Sequence, residues 1–347
     1  MQQPTVNDIA RVAGVSLATV DRVLNARPGV RSVTIDKVNK AVAELGYVRD
    51  TAAANLARKR LYRFLFILPD SANEFMTALD TEISEQGAKL KHQRTLLRRV
   101  TVPPFDSRAI VETLDALDPD TTDGVAVIGV ETPSVRDAVK RARAKGIAVI
   151  ALVSDLPSSE RDHFVGIDNI AAGRTAARLM GRFAQHQGRV LVITGSRLSR
   201  DHLERRNGFD ALMADEFPGM EVVASIEGRD DPELIRKMLP DVFEAYPDLV
   251  GIYSSAAGNP GLIRYLEESG RQDNLVVVAH ELTPASRAAL QAGTFDAIIN
   301  QDTGHIVRSA TRLLRATLDQ VPFDDTQERI RIDIYLQDNL PHQGGNT

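Results

Sequence analysis

The residues best placed to do chemistry fall into two sets. The first is polar and carboxyl-bearing, and each member follows a short apolar run. It comprises Asp70, Asn73 and Phe75, then Asp155, then Ser196, Ser199, Arg200 and His202. Ser254 and Ser255, His280 and Glu281, and Asn300, Gln301 and Asp302 complete it. Carboxylates and carboxamides offer planar acceptors and donors to paired hydroxyls, and an aromatic face suits the C–H side of a sugar ring. The chemistry expected of this set is reversible binding of a hydroxyl-rich molecule. Taken singly, each residue reads equally well as a strand-end cap or a solvated loop residue, so the weight rests on the pattern.

The second set lies in residues 5–25, TVNDIARVAGVSLATVDRVLN, which read as two short helices joined by a tight turn. Thr5 and Asp8 form a variant capping box, and Ile9, Ala10 and Ala13 give a small apolar stripe. Gly14 can take the positive φ that a sharp stop needs. Ser16 can cap the second helix, whose buried stripe is Val20, Val23 and Leu24. Its outward face carries Leu17, Ala18, Asp21 and Arg22. In a helix-turn-helix that face enters the DNA major groove; the plain alternative is an ordinary helical hairpin. Signals for catalysis are poor. No H-x-x-x-H or H-E-x-x-H occurs, Gly195–Ser196 lacks the G-K-[ST] ending of a phosphate loop, and Asp168 pairs with Glu281 only if a fold is assumed. No catalytic residue, metal or cofactor is expected.

These residues need elements to hold them. Residues 32–46 form a third amphipathic helix with Ile35, Val38, Ala41, Val42 and Leu45 on one face and Gly46 as its stop. Arg27, Arg31, Lys37 and Lys40 are phosphate contacts or simply solvated charges. Residues 50–60, DTAAANLARKR, would make a helix too short to be stable alone in water. From Leu61 the texture alternates. Apolar runs at 63–68, 124–130, 148–153, 164–167, 189–194, 221–225, 249–253, 274–279 and 295–299 read as strands. Helical patterns at 73–89, 134–145, 169–185, 204–214, 232–245, 259–269 and 303–320 lie between most of them. Such βαβα alternation predicts parallel sheets with helices on both faces, and the length predicts two subdomains. The predicted fold class is a small all-α helix-turn-helix headpiece followed by α/β, with two doubly wound parallel-sheet subdomains.

Charge agrees with that division. Residues 1–60 hold ten Lys and Arg against five Asp and Glu, which leaves a net −10 for the remainder of a chain whose total is −5. A basic head on an acidic body suits a protein that holds phosphates at one end. There is no Cys, so disulfides and thiolate metal sites are excluded. The polar N-terminus shows no signal peptide, and no run is long enough to span a bilayer, so a soluble cytoplasmic protein with no membrane partner is expected.

The motif V-x-D-I-A-x-x-A-x-V-S-x-x-T-V-x-x-V-L from Val6 to Leu24 resembles the headpiece of the LacI family of bacterial repressors. The likeness continues through Lys37, Val38, Ala41, Leu45, Gly46 and Tyr47 into Ala53, Leu56 and Ala57. In the body, Phe164–Gly173, Ala257–Asn259, Val276–Thr283 and Asn300–Asp302 resemble the family's periplasmic-binding-protein-like, sugar-binding core. The resemblance implies a hinge helix over 50–60, paired across a homodimer, with Leu56 wedged into the minor groove. The DNA-contacting set it suggests is Ser16, Leu17, Ala18, Thr19, Arg22, Asn25, Arg31, Ala53, Leu56 and Arg58. It also implies a small effector between the subdomains, contacted by Asn73 and Phe75, Glu281 and Gln301; the strand-end positions add Asp155 and Ser255. Many members grip the effector with an Arg near Leu203; His202 or Arg205 is the available substitute here. Ser255 and Ala256 stand where many members have Asn-Asp, and Asp21 stands where many have Ser, so neither effector nor operator can be carried over.

The expected organisation is a headpiece at 1–49, a hinge at 50–60, an effector-binding and dimerisation core at 61–340 and a tail at 341–347. The expected partners are a pseudo-palindromic double-stranded DNA operator, a carbohydrate-like effector and a second copy of the chain. The expected function is a ligand-responsive transcriptional repressor of carbohydrate uptake or catabolism genes. The rivals are a solute-binding protein with a helical head that does not read DNA, and a carbohydrate-acting enzyme.

Overall fold

The computed structural model describes residues 4–24, 28–47, 60–71, 73–184 and 187–342. The chain divides into two compact units, 1–60 and 61–347. In the first, α1 (Val6–Ala13), α2 (Leu17–Leu24) and α3 (Ser32–Leu45) form a three-helix head. Asp8 accepts both the N–H and the hydroxyl of Thr5, at 2.9 and 2.8 Å, which fixes the start of α1. Gly14 ends it at φ 65° and Gly46 ends α3 at φ 59°. Ser16 Oγ accepts the Thr19 N–H and starts α2. Ile9, Val20, Val38 and Ala41 form the core, with Ala10, Ala13, Val23, Leu24, Val42 and Leu45 packed round it. Ile35 corrects an expectation: it is 38% exposed, because it lies in the first turn of α3, outside that small core. The stretch 50–59 expected to form the hinge lies outside the described residues.

The second unit begins with β1 (Tyr62–Pro69), α4 (Glu74–Leu90), β2 (Thr95–Val102) and α5 (Ser107–Asp115). It continues with β3 (Gly124–Val127), α6 (Pro133–Ala144), β4 (Ala148–Leu152) and β5 (His163–Val165). These strands make a parallel sheet in the order β2-β1-β3-β4-β5. Then follow α7 (Asn169–Phe183), β6 (Gly188–Thr194), α8 (Arg200–Glu216), β7 (Met220–Val222), β8 (Ile226–Glu227), α9 (Pro232–Ala245) and β9 (Leu249–Ser254). The remaining elements are α10 (Asn259–Ser269), β10 (Val276–His280), α11 (Pro284–Ala292), β11 (Ala297–Asn300), α12 (Thr303–Asp319), α13 (Asp325–Glu328) and β12 (Asp333–Tyr335). The second sheet runs β12-β11-β10-β9-β6-β7, with β8 beside β6 and only β12 antiparallel.

Helices cover both faces of parallel strands, so the central strands are wholly apolar: every residue of β3 and β4 is buried. The chain crosses between lobes three times. It leaves the first sheet after β5 and returns after β11, where α12 lies against β4 and α4 and its Asp319 accepts the Tyr62 hydroxyl at 2.7 Å. It crosses back to end in β12.

Three strands and three helices of this frame, among them the four-residue α13, are missing from the sequence reading. In β2, TLLRRVTV, an edge position leaves most side chains at least partly exposed, so no apolar run marks it. β8 and β12 are two and three residues long. In α5 the buried face is only Ile110 and Leu114, and α11 is short and Ala-rich. The run expected to be a strand over 221–225 pairs only over Met220–Val222, at the sheet edge.

Candidate functional site

The carboxyl ends of β1, β6, β9, β10 and β11 face one cleft between the lobes, where ligands of open parallel sheets bind. From the first lobe come Asn73 and Phe75. Asn73 caps α4 by accepting the Met76 N–H at 2.8 Å, and Phe75 is buried in the turn that follows. From the second lobe come Asp230, Asn259, His280 and Glu281. Together these six line a cavity of about 420 Å³, within the range that suits a small ligand. A narrow extension of about 70 Å³ continues past Asn73 and Asp230 to Ser199, Asp201 and His202, under Phe105 and Val130. A further recess of about 240 Å³ opens on the other side of Phe75 and Glu281 and reaches Gln301.

Behind this surface the side chains are wired together. Tyr253 Oη and His280 Nε2 are 2.8 Å apart, with Tyr253 stacked on Phe209 at 4.7 Å. Asn259 donates to the His280 carbonyl at 3.0 Å and accepts from Ser254 at 2.7 Å. Gln301 donates to Glu281 Oε1 at 2.8 Å. Arg205 donates to Asn169 Oδ1 and to the Ser255 carbonyl, each at 2.9 Å, and its Nη2 lies 3.9 Å from Glu281 Oε1. Asn169 in turn donates to the Val153 carbonyl of the first lobe at 3.3 Å, so one chain of bonds runs from Glu281 to the crossing between lobes. Glu281 and Val153 hold φ of 68° and 62°, a conformation that costs a non-Gly residue about 1–3 kcal/mol and clusters at functional sites.

Burial sets the protonation of the group. It raises the Glu281 carboxyl to about 7 against the pull of Arg205 and Gln301. It holds the His280 imidazole well below its usual range and pushes Asp230 upward. Among the buried side-chain atoms, Glu281 Oε2, Gln301 Oε1 and His280 Nδ1 have no hydrogen-bond partner in the protein. Buried polar atoms are ordinarily paired, so each is an open hydrogen-bonding position at the cleft.

Asn73, Phe75, His202 and Glu281 line the cleft; Gln301 lines its recess; Arg205 lies behind the wall. Two expected residues are placed otherwise. The Asp155 carboxylate is taken by a two-pronged pair with Arg161 and by the Leu156 N–H, and it lines none of the three spaces. Ser255 is fully buried with its hydroxyl on the Ile193 carbonyl. β9 runs one residue further than the sequence suggests, which turns Ser255 under the sheet end. The sequence reading passed over Asp230 because it follows the unrecognised β8. The cap-and-proline pair Asp231–Pro232 was the available signal.

On the headpiece, Ser16, Leu17, Ala18, Arg22 and Arg31 are exposed and Thr19 is half-buried, while Val20 anchors the same helix from beneath. Asn25, Ala53, Leu56 and Arg58 lie outside the described residues. Among the described residues no group of acidic or histidine side chains could hold a metal ion, and no helix is long and apolar enough to cross a membrane.

Residues 5–50 match the family described as bacterial regulatory proteins, lacI family, and residues 64–320 match the periplasmic binding protein domain. The chain is 27% identical over 175 residues to the HTH-type transcriptional regulator DegA of Bacillus subtilis, covering 50% of each chain. It is 28% identical over 194 residues to catabolite control protein A of Streptococcus mutans, covering 55% of this chain and 54% of the relative. The chain thus spans about half the length of these curated relatives. A solute-binding protein of Burkholderia graminis, solved in complex with D-arabinose, superposes with a TM-score of 0.73 at 25% identity, covering 80% of this chain and 96% of that one. A glucose-galactose binding protein of Geobacillus stearothermophilus gives the same TM-score at 19% identity, covering 82% and 100%, and shows the same fold. The chain thus joins a lacI-family helix-turn-helix domain to a body that belongs to the periplasmic binding protein domain family.

Proposed function

We propose that the protein is a ligand-responsive, sequence-specific DNA-binding transcriptional regulator. In this reading it represses genes of carbohydrate uptake or catabolism, works in the cytoplasm and catalyses no reaction. The observation that carries the reading is the pairing, on one chain, of a helix-turn-helix with an exposed second-helix face and a two-lobed cleft with buried acceptors that lack partners. The named relatives are regulators, and the fold neighbours bind sugars. Two chains each read half of a pseudo-palindrome through Ser16, Leu17, Ala18, Thr19, Arg22, Asn25 and Arg31. The segment 50–60 supplies a hinge, with Ala53, Leu56 and Arg58 on the DNA and Leu56 opening a base step. The core extends over 61–340 and the tail over 341–347.

Effector bound between Asn73 and Phe75 on one lobe and Asp230, Asn259 and Glu281 on the other shifts the lobes, and the shift reaches the hinge. A tenfold change in DNA occupancy requires a preference of only about 1.4 kcal/mol for one state.

The test is selection of genomic DNA by the purified full chain, with and without a carbohydrate panel. An enriched pseudo-palindrome, with affinity that falls steeply with salt and changes on adding a sugar, is expected. No enrichment, or salt-insensitive binding, points instead to a solute-binding protein whose head docks another partner. Turnover of a panel member points to an enzyme.

A further inference from the structure

The cleft carries more charge of one sign than hydroxyl binding requires. Among the described residues, six carboxyl groups line the main cavity and its narrow extension: Asp70, Glu74, Asp201, Asp230, Asp231 and Glu281, of which burial holds Asp230 and Glu281 toward their neutral forms. Arg229 is the one guanidinium beside them. His202 is committed on both sides: Nδ1 accepts the Ser196 N–H at 3.1 Å and Nε2 lies 3.5 Å from Asp201 Oδ2. Arg205 does not line either space, and its guanidinium is held from behind by Asn169, the Ser255 carbonyl and the nearby Glu281. No cation is therefore presented deep in the cleft to receive an anion.

An independent observation gives the same sign. Glu281 is 8% exposed and Gln301 is 2% exposed, yet Glu281 Oε2 and Gln301 Oε1 have no donor. The Gln301 amide group is already committed to Glu281 Oε1, so Gln301 Oε1 is a free acceptor, and Glu281 Oε2 is one whenever the carboxyl is ionised. Hydroxyl and ammonium groups bring donors to such atoms; carboxylate and phosphate oxygens bring only further acceptors and a like charge.

We propose that the cleft selects a hydroxylated ligand with no negative charge, a neutral sugar or polyol or its amine-bearing analogue, and rejects sugar acids and sugar phosphates. The proposal rests on the carbohydrate reading of the cleft and narrows it. Glu281 and Gln301 are the positive half of the selection. Asp70, Glu74 and Asp201 are the negative half, since they repel a ligand that could otherwise fill the same volume.

The test uses the full chain and calorimetric titration with matched sets. These are glucose, glucosamine, gluconate and glucose 6-phosphate; galactose, galactosamine and galactonate; and arabinose with arabinonate. In any set that binds, the neutral or amine member should bind at least about tenfold more tightly than its acid or phosphate, as one uncompensated like charge in a poorly solvated cleft demands. Asp70→Asn, at an exposed position on the rim, should narrow that ratio by roughly twofold without disturbing the fold. An acid or phosphate that binds as tightly as its parent overturns the proposal and leaves the carbohydrate reading standing. Silence from every set, with DNA binding intact, overturns the carbohydrate reading and the proposal together.

Discussion

On the headpiece, Ser16, Leu17, Ala18 and Arg22 stand exposed on a helix anchored by Val20. At the cleft, Glu281, His280 and Asn259 are buried, Asn259 is bonded to the His280 carbonyl, and Arg205 behind the wall faces Glu281 at 3.9 Å and holds Asn169. The first arrangement keeps the proposed reading groups and the folding groups on opposite sides of one helix. A surface residue can change there with little effect on stability. The second puts the proposed ligand-facing atoms on the side chains that hold the second lobe, so a change in specificity is also a change in fold. This difference predicts where the two regions tolerate substitution.

Arg205→Ala should break the cleft hardest. It removes the charge facing Glu281 and strands Asn169 Oδ1 and the Ser255 carbonyl, at a cost of about 3–5 kcal/mol to the body's unfolding free energy. A loss within 1 kcal/mol, read by denaturant titration, would show that the network does not hold the lobe. Ile9→Ala tests the other side, because Ile9 is fully buried in a very small core. A cost of about 2–5 kcal/mol should abolish DNA binding while sugar-dependent stabilisation of the body remains. Survival of DNA binding would mean that the core is larger than these four residues.

Glu281→Gln gives a pH signature. The Glu281 carboxyl titrates near 7 in the folded chain and near 4.5 when unfolded, so the folded state binds the extra proton between those values. Its contribution to stability therefore falls as pH rises from about 4.5 to 7 and is constant above, by up to about 3 kcal/mol. Depressed His280 acts in the opposite sense as pH drops below its ordinary range, and raised Asp230 adds to the fall. The difference between parent and Glu281→Gln unfolding curves across pH 5–8 isolates the Glu281 share. Parallel curves would remove Glu281 from the account.

Arg22→Ala should leave stability within about 0.5 kcal/mol, since the residue is exposed. It should relax one position of the selected DNA site by about 1–3 kcal/mol if the guanidinium reads a guanine. An unchanged selected site would assign Arg22 to phosphate. The smallest effect belongs to Glu131→Gln. Glu131 bridges the lobes to Arg200 at 2.9 Å, but Arg200 is more than a third exposed, so less than about 1 kcal/mol is expected, diminishing with salt.

The same contrast explains what could be read from the sequence. The head is built from local contacts, so Thr5–Asp8, Gly14, Ser16 and Gly46 announce its helix ends directly. The α/β alternation of the body was equally visible, because central parallel strands are continuous apolar runs. The cleft draws on five strand ends far apart in sequence, and there a one-residue error in β9 sufficed to misplace Ser255. Asp155 was misread because nothing in the sequence says that Arg161, across a turn, will take its carboxylate. Asp230 was missed because a two-residue strand has no periodicity to detect.

The threefold crossing of the chain sets the order in which the protein matures on the ribosome. The head's core lies within residues 9–41 and is complete once that segment has emerged. The first sheet starts at Tyr62, yet one of its faces is covered by α12, which begins at Thr303. α4 covers part of that face early, but at ribosomal speeds of about 5–20 residues per second the part under α12 stays uncovered for on the order of ten to fifty seconds. Its apolar surface is during that interval a site for chaperones or for aggregation. The helix-turn-helix therefore becomes native first, and the pocket that would regulate it becomes native last.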